Sequence, residues 1–295
     1  MIAAVQSVPL SHPVKVRLGG MRDCKDILTV YQTTRWLRHR YTNVEEVKAE
    51  HRAIGLSSWG WLVAELDGHV VGEILFKVEK NPITGTVGVI SSMDVDIRHQ
   101  KRKIGTQLVT AAEEIMKHKR ASRITAISPP EAYNFWMKIK YFARGSLINA
   151  SLPPRQIPPR STAKVITHIL KEPGQIHKDW IFSHIAPPGD FTSLLSEVVD
   201  RGQDGTVAAY YSGKTLVGIG IAVRGDDRTA RFLSDVTVEG LDYSDVVISR
   251  TAKFASTWRA ASVWTRVPKD HVNRFMSLAD WKIEVAREIP VTRLL

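Results

Sequence analysis

Cysteine is nearly missing from this 295-residue chain, where Cys24 stands alone. One thiol makes neither an intrachain disulfide nor a multi-cysteine metal site, so a disulfide scaffold is excluded and a reducing compartment, cytoplasmic by default, is expected. Long apolar runs are missing too. The longest, Leu216 to Val223, has 8 residues and two glycines, far short of the roughly 18 that a membrane span needs, so no membrane association is expected. No basic residue precedes Lys15 and no sustained apolar core follows, so a secretory leader is not expected. The ten histidines show no His-Glu-x-x-His spacing, and no nucleophile elbow anchors a Ser-His-Asp arrangement. A metal site is therefore not expected. The Walker loop and the three-glycine dinucleotide fingerprint are also absent.

What is present describes a globular protein. With 43% hydrophobic and 24% charged residues the chain can bury one or two real cores, which excludes a disordered or fibrous protein. Its length is close to twice the roughly 150 residues of a common domain. Lys and Arg number 41 against 30 Asp and Glu, and the excess is uneven: residues 98–123 hold eight Lys or Arg against two Glu. A local field of that sign draws phosphates, whether on a nucleotide, a cofactor or a nucleic acid.

Periodicity places the elements. Val14 to Leu18 alternates as a strand, and Asp26 to His39 is amphipathic. Thr42 to Glu45 fits a capping box that opens a helix to about Ala53. Trp61–Leu66, Asp67-Gly68 and Val70–Phe76 spell a hairpin, because Asp-Gly supplies the positive φ angles of a tight turn. A turn over 81–85, a strand over Thr86–Asp96, a helix over Ile104–Met116, a strand over Arg123–Ile127 and a helix over Glu131–Lys140 follow. Ser151 to Thr162 carries four prolines, and the β-like run Ala163–Leu170 after it is expected to complete the first sheet.

The second half repeats this plan. A hairpin around Ser212-Gly213 shares the Val-Gly of Val71-Gly72 at Val217-Gly218. A strand over Arg231–Val238, a helix over Tyr243–Trp258 and a strand over Ser262–Val267 come in the same order, and Phe275, Trp281 and Lys282 stand 140 residues after Phe135, Tyr141 and Phe142. The expected fold is α/β, a mixed α+β arrangement of two tandem units, 1–172 and 173–295, each a mostly antiparallel mixed sheet flanked by helices.

Chemistry concentrates in residues 91–109, a strand, a basic turn and a helix start in succession. A helix N-terminus offers unpaired amides and the positive end of its dipole, and Gly105 lets a ligand approach the backbone. Lys101, Arg102 and Lys103 add charge at that mouth, so the segment reads as a pyrophosphate cradle. Gln100-Lys101-Arg102-Lys103-Ile104-Gly105-Thr106 resembles the Arg/Gln-x-x-Gly-x-Gly/Ala signature of the GNAT superfamily of acyl-coenzyme A-dependent N-acyltransferases. Ala132 to Tyr141 resembles its second signature, Ala-x-x-Phe/Leu-Tyr-x-Lys-x-Gly-Phe, with Ala132, Phe135 and Lys138 matching. The likeness covers residues 14–170.

The resemblance implies acetyl-CoA as co-substrate and an amine as acceptor, a small molecule or a protein. It implies cofactor contacts at Met93, Val95, Gln100, Lys101, Arg102, Lys103, Ile104, Gly105, Thr106, Asn134 and Lys138. Asp94 on the active strand is the candidate base, and Tyr133, one turn before Trp136, the candidate acid. Asp96 is expected to cap or to pair with a basic side chain, and Trp136 to wall the pocket. Lys103 and Lys140 stand where the family has glycine, Pro129 where many members have asparagine, and Trp136 where they often have a tyrosine acid. The loop after Val238 offers Glu239, Asp242 and Asp245 instead of a basic turn, so the second unit resembles a degenerate repeat without a phosphate site. A non-catalytic coenzyme A sensor and a nucleic-acid-associated protein, the latter on the basic stretch with Arg35, Arg38, His39 and Arg40, are the alternatives.

Overall fold

The computed structural model of the chain describes residues 13–34, 40–53, 58–81, 85–159, 164–172, 176 and 185–295. Contacts gather them into two compact units. Unit 1 takes the described residues up to Val78 together with Ile90–Ala121, and unit 2 takes Glu79–Val89 with Ser122–Leu295. The boundary expected near residue 172 falls inside unit 2.

Unit 1 begins with β1 (Lys15–Leu18), α1 (Cys24–Thr33) and α2 (Val44–Ala53). The helix that periodicity extends to His39 stops at Thr33, and residues 35–39 lie outside the described part of the chain. Asn43, not Thr42, caps α2: its Oδ1 accepts from the Glu46 amide at 3.0 Å, while Glu46 returns its carboxylate to the Thr42 amide. The box is thus shifted by one residue, because the acid that can reach back lies three residues after Asn43. Next come β2 (Trp61–Leu66) and β3 (His69–Asn81), joined through Asp67 and Gly68 at φ angles of 52° and 80°. They pair antiparallel from Trp61 opposite Leu75 to Leu66 opposite His69. β4 (Gly85–Val95) and α3 (Ile104–His118) complete the unit, and β3 and β4 each run on into unit 2. Ile104, Leu108, Val109, Ala112 and Met116 form the buried stripe of α3.

Unit 2 contains β5 (Arg123–Ser128), α4 (Tyr133–Lys138), β6 (Phe142–Ala143), β7 (Leu147–Leu152), β8 (Val165–Ile169), α5 (Asp190–Val199) and β9 (Gly205–Ser212). It continues with β10 (Thr215–Arg224), β11 (Thr229–Val236), α6 (Ser244–Lys253), β12 (Ser262–Pro268), α7 (Val272–Met276), β13 (Lys282–Val285) and β14 (Ile289–Leu294). α4 is shorter than periodicity implies, since Pro130–Ala132 is a 3-10 turn and Lys140, at φ 67°, breaks the far end. α6 likewise gives way to a 3-10 turn over Phe254–Trp258.

The strands form two seven-stranded sheets, β1-β2-β3-β4-β5-β14-β6 and β13-β7-β12-β11-β10-β9-β8. Antiparallel pairs dominate, and the parallel pairing of β11 with β12 makes the second sheet mixed. This is the mixed α/β, tandem architecture that the sequence implies. Its closure is different. β8, expected to finish the first sheet, pairs with β9 and edges the second. β14, from the far end of the chain, lies between β5 and β6, and β7 lies between β12 and β13. The two sheets have exchanged late strands, which no local pattern announces because both partners of each strand are distant in sequence.

The repeat is visible at atomic scale. The Asp96 amide donates to the Val71 carbonyl at 3.0 Å, and the Thr237 amide to the Val217 carbonyl at 3.1 Å. A Cβ added at Gly72 would meet the Asp94 carbonyl at 3.0 Å, and one at Gly218 the Asp235 carbonyl at 2.9 Å. The shared Val-Gly is therefore a close backbone approach in both hairpins, and it makes Asp94 and Asp235 equivalent. Trp281 and Tyr141, 140 residues apart, are both buried.

Candidate functional site

β4 leads into the basic turn of unit 1. Met93 and Val95 are half-buried, while Asp94 is buried and accepts from Ser92 Oγ at 2.7 Å. Asp96 caps the 3-10 turn Ile97–His99, accepting from the Arg98 amide at 2.9 Å and pairing with the Arg98 guanidinium. Burial opposes the Asp96 charge, but the Arg98 contacts prevail and hold its pKa below the usual value. The Gln100 side-chain amide donates to the Val95 carbonyl at 3.0 Å, bracing the turn against the strand it leaves. Lys101, Arg102 and Lys103 are exposed, Ile104 is buried, and Gly105 and Thr106 are half-buried in the first turn of α3. The amides of Ile104, Gly105 and Thr106 lie in that first turn, where a helix supplies no backbone partner. Cationic side chains around such amides suit an anion.

Two backbone angles support the resemblance. Lys103, at the family's first glycine, has φ 63°, and Lys140, at the glycine of the second signature, has φ 67°. Both lysines keep the left-handed conformation that glycine adopts without cost. Lys103→Gly is therefore expected to stabilise the fold by up to about 1.5 kcal/mol, the left-handed cost of about 1–2 kcal/mol less glycine's entropy of about 0.5–1 kcal/mol. Urea unfolding measures it, and a lower midpoint would contradict this account of the turn.

Beneath α1 and α2 lies a cluster that sequence reasoning missed. Glu73 on β3 is fully buried and accepts from Tyr31 Oη, from Trp61 Nε1 at 3.0 Å and from His51 Nε2 at 3.0 Å. His51 Nδ1 meets the Val47 carbonyl at 2.8 Å. Burial opposes a charged imidazole here, yet the hydrogen bond and charge of Glu73, with the Val47 carbonyl, outweigh it, so the His51 pKa is raised. Burial, then the charge and hydrogen bond of Glu73, push the Tyr31 phenol far above its ordinary value, and the charge of Asp94 adds to this. The available signal was a carboxylate inside the apolar run VVGEILF, residues 70–76.

The second signature lies in unit 2. Tyr133 opens α4 half-buried, and Asn134 and Lys138 are exposed. Trp136, expected as a pocket wall, is buried and packed edge-on against Phe135 and Tyr141, with ring centroids 5.3 and 4.9 Å apart. It serves the core of that unit. In the loop after β11, the Gly240 amide returns to Thr237, and a Cβ at Gly240 would meet the Val217 carbonyl oxygen at 1.7 Å. Glu239 and Asp242 point into solvent. At the start of α6 the Arg274 guanidinium donates to Ser244 Oγ at 2.7 Å.

Charges in the basic stretch are partly engaged: Arg98 on Asp96, and Lys119 over the Trp59 ring at 5.1 Å. Among the described residues no group of three His, Cys, Asp or Glu is placed to hold a metal ion, and no helix is long and apolar enough to cross a membrane.

Residues 23–140 match the Acetyltransferase (GNAT) family. No curated protein matches the chain. Solved structures do. A GCN5-related N-acetyltransferase from Kribbella flavida is 15% identical, with 96% of this chain and 71% of that one covered and a TM-score of 0.58. One from Sphaerobacter thermophilus is 13% identical, with 97% of each chain covered and a TM-score of 0.54. A tandem GNAT protein from the clavulanic acid biosynthesis pathway is 12% identical, with 96% and 98% covered and a TM-score of 0.55. At these identities the likeness is one of fold.

Proposed function

We propose, for a chain whose residues 23–140 carry a GNAT-family acetyltransferase domain, that it transfers an acetyl group from acetyl-CoA to a primary amine by direct transfer in a ternary complex. The observation that carries this reading is the turn 100–106, where left-handed Lys103, the first-turn amides of α3 and three exposed cations converge. Gln100 through Thr106 would hold the pyrophosphate, with Met93 and Val95 on the strand before it, and Asn134 and Lys138 would hold the remainder of the cofactor. Acetyl-CoA would supply the activated thioester. Residues 1–172 are assigned to cofactor binding and 173–295 to a degenerate repeat, in the cytoplasm.

Direct transfer needs a neutral amine, fixed donors for the developing oxyanion and stabilisation of the departing thiolate. Asp94 is assigned the first task, accepting the ammonium proton through its carboxylate. Backbone amides between Met93 and Val95 are assigned the second. Tyr133 is assigned the third, its phenol giving a proton to sulfur, because the indole N–H of Trp136 is a donor without ordinary acidity.

The test is a thiol-release screen of the purified protein with acetyl-CoA against a panel of amines and peptides, with mass spectrometry of the products. Release that depends strictly on an amine, with an acetylated product, is expected. Tight coenzyme A binding without release for any amine would favour a sensor, a reading that the core position of Trp136 motivates. Absence of coenzyme A binding by calorimetry to the folded protein would remove both.

A further inference from the structure

Glu73 is costly where it stands. An ionisable group without exposure loses its hydration, and an apolar residue would pack the same place without that loss. The repeat shows the alternative. In unit 2 the register sets Ile219 opposite Asp235 and Ile221 opposite Val207, so Ile219 occupies the position of Glu73 and Val207 that of Trp61. Both units bury an aspartate on the facing strand, Asp235 or Asp94, but only the unit with the basic cradle sets a second carboxyl group, Glu73, against it.

The same register locates Asp94. From the Asp96 amide on the Val71 carbonyl, two steps along each strand bring Asp94 opposite Glu73. A Gly72 Cβ would point at Leu108 of α3, so Glu73 and Asp94 both project to the other face, toward α1 and α2. The groups facing this cluster are Cys24 and Tyr31 from α1, Tyr41 from the segment before α2, Glu50 and His51 from α2, Trp61 from β2 and Ser92 from β4. Because the Val47 carbonyl can only accept, His51 Nδ1 carries a hydrogen and Nε2 faces the Glu73 carboxylate. The buried carboxyl groups of Glu73 and Asp94 thus stand side by side on one face, with the His51 imidazole on Glu73.

We propose that Asp94, Tyr31, Glu73 and His51 form one proton-sharing unit, in which Tyr31, Glu73 and His51 are positioning residues for a proton taken up at Asp94. This rests on the reading of Asp94 as the base. The N–H bond of the ammonium breaks as an O–H bond forms on Asp94. That proton passes to Tyr31 Oη as the Tyr31 O–H proton moves to Glu73, whose carboxyl shares it with His51. No group is oxidised or reduced, and the proton taken up removes one negative charge from a buried pair of carboxyl groups, which burial favours.

The experiment follows the imidazole nitrogens of His51 by NMR through a pH titration of the full chain, with the signal assigned by its loss in His51→Gln. In the unaltered protein the midpoint is expected above 6.5, and Asp94→Asn is expected to move it by about half a pH unit or more. Ser92→Ala disturbs Asp94 through its 2.7 Å hydrogen bond and leaves the Glu73 contacts alone, so it should move the midpoint in the same experiment; it also decides the matter if Asp94→Asn does not fold. In a Tyr31→Phe background both responses should vanish. A His51 midpoint indifferent to Asp94→Asn and Ser92→Ala, while still sensitive to Glu73→Gln, would reduce the cluster to a local ion pair and overturn the proposal. The acyltransferase reading fails separately, by absence of thiol release from a protein whose His51 still answers to Asp94.

Discussion

Deleting residues 173–295 is expected to leave residues 1–172 without a stable folded state. The cut removes β14, which fills the place between β5 and β6 along Ile289 opposite Ser128 to Leu294 opposite Arg123. It also strips β7 of both its neighbours, β12 and β13. Val291 and Thr292 are buried, and Thr292 Oγ1 donates to the Ile124 carbonyl at 2.8 Å. Burying one valine contributes roughly 1.5–3 kcal/mol, and each buried polar group left without its partner costs about 1–3 kcal/mol. Several such losses together approach the whole stability of a domain, about 5–15 kcal/mol. A narrower cut, removing only residues 289–295, tests the strand exchange itself: it should abolish or sharply lower the unfolding midpoint in urea, followed by circular dichroism. A residue 1–172 fragment that unfolds cooperatively near the midpoint of the full chain would show that the exchanged strands contribute little.

The elements most legible in the sequence were those fixed by neighbouring residues. Asp67-Gly68 announced its hairpin because two positive φ angles are required at once, and the α3 stripe announced itself by spacing. The repeated Val-Gly was legible as a pattern, although its cause, a strand carbonyl about 3 Å from the missing side chain, was not. Strand order was hidden, since β14 and β5 are about 165 residues apart and pair through generic β-branched side chains. Within the candidate site, the role of Asp96 as a cap was readable from its place before a basic turn. The buried partnership of Glu73 and His51 was not, for it joins a strand to a helix 22 residues away without any motif spacing.

Gly105→Glu is expected to lower coenzyme A affinity at least tenfold, about 1.4 kcal/mol, while Glu239→Ala leaves it nearly unchanged. Gly105 lies in the first turn of α3, where unpaired amides serve an anion only if the ligand reaches the backbone, and a glutamate adds both bulk and negative charge there. The corresponding loop of unit 2 lacks that opening, and its own exposed charges are acidic. Gly240 sits against the Val217 carbonyl, Ser244 at the start of α6 is taken by Arg274, and Glu239 and Asp242 repel phosphate. One coenzyme A per chain is therefore expected in a calorimetric titration. Removing Glu239 takes away a repulsion but creates no cradle, which is why that variant should stay silent. Two equivalent sites per chain, or an unchanged affinity in a folded Gly105→Glu protein, would place the cofactor somewhere other than the 100–106 turn.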